Sequence, residues 1–340
     1  MIRTGSGGFL VAMLLFSNAA ALPADAQADS GAPDFRDVFE LVRTNVSGLS
    51  EAELNAAAVR GFLEALGPKV ELISDGTAAT GGDNRLISRV ELFDQTVLCL
   101  RVARVQEGLA DALLREFQGV SASNKVSGLA LDLRFAGGTD YAAAAAAADL
   151  FVTRKQPLLD WGNGRAEAKE DGNEIGIPVA ILVNRETTGA AEALAGALRS
   201  AGAGLVLGSR TAGEAHAMRE FPLGGSGRLR IATGPVKVGD GATLTGEGVR
   251  PDIEVEIDPD AERVYYADAY YTATREGTNG TRRVRFSEAD LVREHRQGLG
   301  RAVESEQRPQ ESLPPLVTDP TLARAIDLLK GLAVVRQSRF

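Results

Sequence analysis

Apolar positions along this chain change their period several times, and each change marks an element. Phe35, Val38, Phe39 and Val42 recur at helical spacing. Ser50-Glu51-Ala52-Glu53 then has the form of a capping box, in which the serine and glutamate satisfy each other's backbone N–H groups at a helix start. Leu54, Ala58, Phe62 and Leu66 carry a second helical stripe, which Gly67-Pro68 stops. Ser74 to Arg85 is rich in Gly, Thr and Asp and predicts a loop. From Val90 onward strands and helices alternate. Gln95 to Val102 is expected as a strand, Leu109, Leu113 and Phe117 mark a helix, and Val126 to Leu133 is a buried strand. The unit repeats with an alanine-rich helix from Tyr141 to Phe151, an apolar strand from Pro178 to Val183, and a helix face of Ala190, Leu194, Ala197 and Leu198.

This is βαβ logic, and continuous apolar strands imply a parallel sheet covered on both faces, so the fold class is α/β. Between residues 217 and 257, short β-like runs are separated by Gly224-Gly225, Gly239-Asp240-Gly241 and Gly246-Glu247-Gly248, which predicts hairpins. The segment Glu304 to Leu313 is polar and reads as a flexible connection. Asp319-Pro320 then caps a last helix bearing Leu322, Ala325, Ile326 and Leu329 on one face.

The start of the chain adds a destination. Arg3, the apolar run Phe9 to Phe16 and the small-residue site Ala24-Asp25-Ala26 make up a secretory signal peptide over 1–26, with a mature start near Gln27. The run is shorter than the about 20 apolar residues that span a bilayer. Export to the bacterial periplasm or beyond is expected, with no membrane span once the signal is removed. The 37 basic against 46 acidic residues, a net charge of -9, supply no cationic stripe, so nucleic acid is not an expected partner. Cys99, the only cysteine, sits in the apolar run Val97-Leu98-Cys99-Leu100 and reads as core. With His216 and His295 as the only histidines, the chain lacks the raw material for a usual zinc site, and no metal or cofactor is expected.

Three stretches together resemble the tail-specific, or C-terminal processing, serine peptidases, whose cores follow the ClpP/crotonase-like α/β pattern. They are Gly128-Leu129-Ala130-Leu131-Asp132-Leu133-Arg134 with Gly137-Gly138, the run Pro178 to Gly213, and Gly246-Glu247-Gly248-Val249-Arg250-Pro251-Asp252-Ile253. The resemblance implies a plan of signal peptide (1–26), N-terminal helical segment (27–73), a loop (74–89) where relatives carry a PDZ domain, a peptidase-like core of βαβ units with a hairpin-rich later part (90–260), and a C-terminal extension with linker and terminal helix (261–340). Without a PDZ domain, capture of a substrate's tail by that route is not expected.

The same resemblance assigns catalytic positions, and they are degenerate. The family's nucleophilic serine lies three residues before a helix glutamate, here Glu192, and its lysine base follows the turn Thr211-Ala212-Gly213. Those positions hold Gly189 and Glu214, and an assisting acidic position holds Ser200. Glycine has no atom to attack with, and loss of a nucleophile costs on the order of a millionfold in turnover. The glycine turn Phe135-Ala136-Gly137-Gly138 is also one residue short of the family pattern, which puts its oxyanion-binding role in doubt.

A displaced nucleophile would have to be Thr187 or Thr188, with His216 or Glu214 as base. The plainer reading makes those threonines helix caps and sets His216 in a solvated hairpin. The candidate crevice is thus Gly137, Gly138, Thr187, Thr188 and His216, with Arg185, Glu186, Glu192 and Arg210 as nearby charges and Trp161 as a possible groove wall or core aromatic. The expectation is an inactive, exported module binding unfolded or extended polypeptide, or pairing with an active relative. The alternatives are an active serine-type endopeptidase of unfolded periplasmic proteins and an apolar-ligand binder.

Overall fold

The computed structural model describes residues 33–74, 85–169, 175–224, 227–272 and 317–337. The expected signal peptide (1–26), residues 75–84 of the expected loop, and the expected connection from Glu304 to Leu313 lie outside the described residues. The chain divides into two units, Met1–Phe62 and Leu63–Phe340.

In the first, α1 (Phe35–Asn45) starts where the Asp34 side chain accepts from the Arg36 N–H. Helix α2 (Glu51–Leu66), whose last turn belongs to the second unit, opens with the expected capping box: Ser50 N–H donates to Glu53 Oε2 at 2.8 Å, and Glu53 N–H donates to Ser50 Oγ at 3.2 Å. Neither helix buries a residue.

The second unit runs β1 (Val70–Ser74), β2 (Ile87–Phe93), β3 (Val97–Val102), β4 (Arg104–Val105), α3 (Leu109–Ser121), β5 (Gly128–Asp132), β6 (Gly137–Gly138), α4 (Tyr141–Asp149), β7 (Pro157–Asp160), β8 (Arg165–Glu167), β9 (Val179–Val183), α5 (Gly189–Ser200), β10 (Leu205–Gly208), β11 (His216–Leu223), β12 (Gly227–Pro235), β13 (Lys237–Val238), β14 (Ile253–Glu254), α6 (Pro259–Ala267) and α7 (Pro320–Gln337). Six strands form the central sheet in the order β14-β10-β9-β5-β3-β2, every neighbour parallel except β2 against β3. Strands β3, β5 and β9 are buried at every residue, as their unbroken apolar sequences require. Leucines and alanines of α3, α4 and α5 cover one face. Leu322, Ala325, Ile326 and Leu329 of α7 cover the other, against Ala130, Leu182 and Leu207.

Three local expectations change. Strand β2 precedes β3 as a hairpin, turned by Asp94 (φ 46°) and Gln95 (φ 58°). Two consecutive left-handed residues are the requirement of a tight hairpin turn, but Asp-Gln is not the usual Asn-Gly signal for it. Strand β1 follows the helices directly and pairs with β12, so the segment read as helical ends in a strand. Of the later β-runs, β11 and β12 do form a hairpin, whereas β13 joins β7 and β14 lies parallel to β10 as the edge of the central sheet.

Candidate functional site

Four turns meet beyond the ends of β5 and β9, at the start of α5. The first, Leu133 to Gly138, is fixed at both ends. Asn184 Oδ1 accepts from Phe135 N–H at 3.1 Å, and Thr188 N–H donates to the Ala136 carbonyl at 3.0 Å. Phe135 is held at φ 59°, a strained setting for an aromatic residue, with its ring against Tyr266 of α6 at 4.6 Å between centroids. Gly137 and Gly138 pair in parallel with Arg104 and Val105 of β4.

The second turn carries Thr187, Thr188 and Gly189. The Thr187 hydroxyl is fully buried, donates to the Leu133 carbonyl at 2.9 Å and accepts from Asn184 N–H at 3.0 Å. Thr188 stands at the N-cap position of α5 without a side-chain capping bond, so neither threonine caps the helix as the plainer reading expected. Gly189 opens α5 at φ 56°. A Cβ placed there would overlap the Gly138 carbonyl oxygen, and one placed on Gly137 would come within 2.9 Å of Thr188 Oγ1. The shortened glycine turn therefore presses its backbone into the space that a side chain at 189 needs.

Glu192, one turn further along α5, organises the third turn. Its carboxylate is withdrawn from solvent and accepts from the Thr211 hydroxyl and from the backbone N–H groups of Gly213 (2.7 Å), Glu214 (3.0 Å) and Ala215 (3.1 Å). Burial raises its pKa, and these bonds only partly offset that. The Glu214 side chain is exposed although its backbone is fixed. The fourth turn, Gly246 to Val249, lies on the third: Thr211 N–H donates to the Val249 carbonyl, Val249 N–H to Thr211 Oγ1, and Gly246 N–H to the Gly213 carbonyl.

Beneath the first turn lies an ionic cluster that the sequence did not announce. Arg134 meets Asp132 in a two-pronged pair (2.9 and 3.0 Å) and Asp319 at 2.8 Å, all three fully buried. Arg101 adds a bond to Asp132 at 3.1 Å and stacks on Tyr266. Burial pushes the Asp132 carboxyl up, but Arg134 and Arg101 outweigh it and hold the group below its ordinary range. Asp319 also caps α7, accepting from Thr321 and Leu322 N–H. Two of the resembling stretches are thus cores of hydrogen-bonded scaffolding.

The remaining sequence candidates disperse. His216 begins β11, half-buried, with burial and then Lys69 lowering its pKa. Its carbonyl accepts from the Tyr141 hydroxyl at 2.8 Å, and among the described residues no hydrogen bond links its ring to Thr187 or Thr188. Ser200 closes α5 and accepts from Asp240 N–H. Glu186 pairs with Arg263, and Arg210 with Glu247. Arg185 and Arg210 line an open depression of about 530 Å³ with Glu254, Glu256, Asp258 and Glu262. Trp161 packs beside Tyr141 and is partly buried against the core. Cys99 is buried, its thiol pushed up to about 12. No described helix is long and apolar enough to cross a membrane.

Residues 96–255 match the family model described as Peptidase family S41. The carboxy-terminal-processing protease of Bartonella bacilliformis is 27% identical over 150 residues, 43% of this chain and 35% of that protein. The chloroplastic C-terminal processing peptidase of Tetradesmus obliquus is 32% identical over 165 residues, 47% and 35% of the two chains. The chain therefore spans little more than a third of the length of these relatives. Among solved structures, the photosystem II D1 C-terminal processing protease shares 27% identity over 55% of this chain and 47% of its own, at a TM-score of 0.42. From residue 96 to residue 255, this chain carries a Peptidase family S41 core related to those of the C-terminal processing proteases.

Proposed function

We propose that this chain is an exported S41-type protein that binds extended polypeptide without cleaving it. One observation carries the reading: at Gly189, where the resemblance puts the nucleophile, the Gly138 carbonyl occupies the space of any side chain. Chemistry and sterics agree, since glycine offers no attacking atom and the neighbouring turn has closed over it. The two threonines give no substitute. Thr187 has its hydroxyl committed in the core, and among the described residues no base is hydrogen-bonded to the Thr188 hydroxyl. Polypeptide as the ligand is supported by the likeness to C-terminal processing proteases, and export by the signal pattern of residues 1–26.

The test is to incubate the purified protein with unfolded casein, following fragments by mass spectrometry and association by fluorescence anisotropy. Association without fragments is expected. Fragments that vanish in Thr188→Ala would overturn the non-catalytic reading. Absence of association would overturn the binding reading. The double variant Gly189→Ser plus Glu214→Lys is also expected to stay inactive until one residue is inserted between Ala136 and Gly137 to draw the carbonyl back. Cleavage by the double variant alone would remove the steric argument.

A further inference from the structure

We infer that the depression beyond the carboxyl ends of β9, β10 and β14 is a binding site for a basic α-amino acid. The site is independent of the polypeptide-binding reading above and uses neither Gly189 nor Glu214. Arg185, Arg210 and Glu256 each stand two residues past the end of their strand, and with Glu254, Asp258 and Glu262 they line a cavity of about 530 Å³. The three strands run parallel, Gly208 of β10 pairing with Val183 on one side and Glu254 on the other. Open parallel sheets hold small ligands in the crevice outside the carboxyl ends of their strands, and this volume is that of a small-molecule pocket.

Glu262 sets the charge of the ligand. It lines the cavity yet is only 6% exposed. The arginines around it are spent, Arg263 on Glu186 and Arg134 on Asp132 and Asp319. The Asn184 amide lies beside it, but Asn184 Nδ2 is itself buried without a hydrogen-bond partner. Burial raises the Glu262 pKa, and Asn184 and Arg134 only partly offset that. A carboxylate buried without a paired cation is costly, and an ammonium group entering the cavity relieves the cost. Three of the other lining charges are committed: Glu254 to Arg250, Asp258 to capping α6, and Arg210 to Glu247. Among the described residues, Arg185 and Glu256 share the cavity without an ion-pair partner. The uncommitted charges are thus the carboxylates of Glu262 and Glu256 and the guanidinium of Arg185. Their complement is a molecule with two ammonium groups and one carboxylate. Among the described residues no three acidic, histidine or cysteine side chains converge as a metal ion needs, so the ligand is an organic cation.

The experiment titrates the full chain by calorimetry with L-lysine and with two analogues, cadaverine, which lacks the carboxylate, and L-norleucine, which lacks the side-chain ammonium. Lysine is expected to bind about tenfold tighter than either, the scale of one charge-assisted bond. Arg185→Gln should make lysine and cadaverine equal. Glu262→Gln, which keeps the shape of the buried side chain, should weaken lysine by at least about tenfold while circular dichroism shows the fold retained. Glu256→Gln, an exposed change that leaves the core alone, should weaken lysine without altering the fold, and it carries the test if Glu262→Gln does not fold. Heat from none of the three compounds would overturn the site. Lysine binding that survives Glu262→Gln or Glu256→Gln unchanged would overturn the assigned carboxylates, and cadaverine as tight as lysine would overturn the role of Arg185. Displacement of lysine by calcium chloride at equal concentration would make the cavity a metal site and overturn the amino acid. Each of these results leaves the casein experiment, and the reading it tests, untouched.

Discussion

Asp132 and Glu192 are two carboxylates equally withdrawn from water, and they are held in opposite ways. Asp132 faces two guanidinium groups, which keep it ionised and its pKa low. Glu192 faces only hydroxyl and backbone dipoles, which satisfy its oxygens but do not cancel the cost of burying charge, so its pKa is raised. The first ties the sheet to α7 through Asp319; the second ties α5 to the turn carrying Glu214. Full charges fix scaffolding here, while dipoles fix the turns around the crevice.

The sharpest way to break that comparison is Arg134→Met. It leaves Asp132 and Asp319 without their shared cation and should cost about 3–5 kcal/mol in urea denaturation. Unchanged stability would mean the cluster is not what anchors α7. Glu192→Gln replaces an acceptor with an amide whose NH2 confronts backbone N–H donors. About 2–3 kcal/mol should be lost, with faster amide exchange at Gly213, Glu214 and Ala215. If exchange there is unaltered, the carboxylate does not hold that turn.

Gly189→Ala tests the closed turn and should cost about 1–3 kcal/mol, from a left-handed backbone and the clash with Gly138. A neutral result would show that the glycine turn yields freely.

Titration sharpens the contrast, because the two groups shift in opposite directions on folding. Asp132, depressed on folding, contributes stability above its ordinary value of 3.8 that is lost as pH falls through its lower folded value. The gap between the native chain and Asp132→Asn should therefore close in acid. Glu192, raised on folding, works the other way: its contribution is fully present below 4.5 and is lost as pH rises toward its folded value. The native chain should gain on Glu192→Gln as pH falls through that range. Parallel profiles for the two pairs would refute the distinction. The smallest effect is expected from Glu214→Lys, within about 0.5 kcal/mol, because the side chain is exposed.

Much of this architecture was legible in the linear pattern because it depends on local spacing. The Ser50 to Glu53 cap, the apolar strands β5 and β9 and the stripe of α7 each declare themselves within a few residues. What escaped depends on through-space partners. The Asp94-Gln95 turn has no favoured hairpin dipeptide, and β14 reads as another short β-run until β10 lies beside it. That Gly189 and Glu214 stand where the resemblance expects a nucleophile and a base could be read in the sequence, but not that the Gly138 carbonyl fills the space above Gly189. Likewise Asp132-Leu133-Arg134 could be recognised as a motif without showing that its arginine pairs with Asp319.

The bond between Arg134 and Asp319 joins residues 185 positions apart. At about 5–20 residues per second, a ribosome needs roughly ten to forty seconds to deliver the second after the first. Throughout that interval Arg134 lacks half of its counter-charge and the sheet lacks the helix that covers one face. The nascent chain can form its early helices and hairpins, but the buried ionic cluster and the α7 cover of the sheet complete only after synthesis has passed Asp319, so the last closure of this core is a late event in the life of the chain.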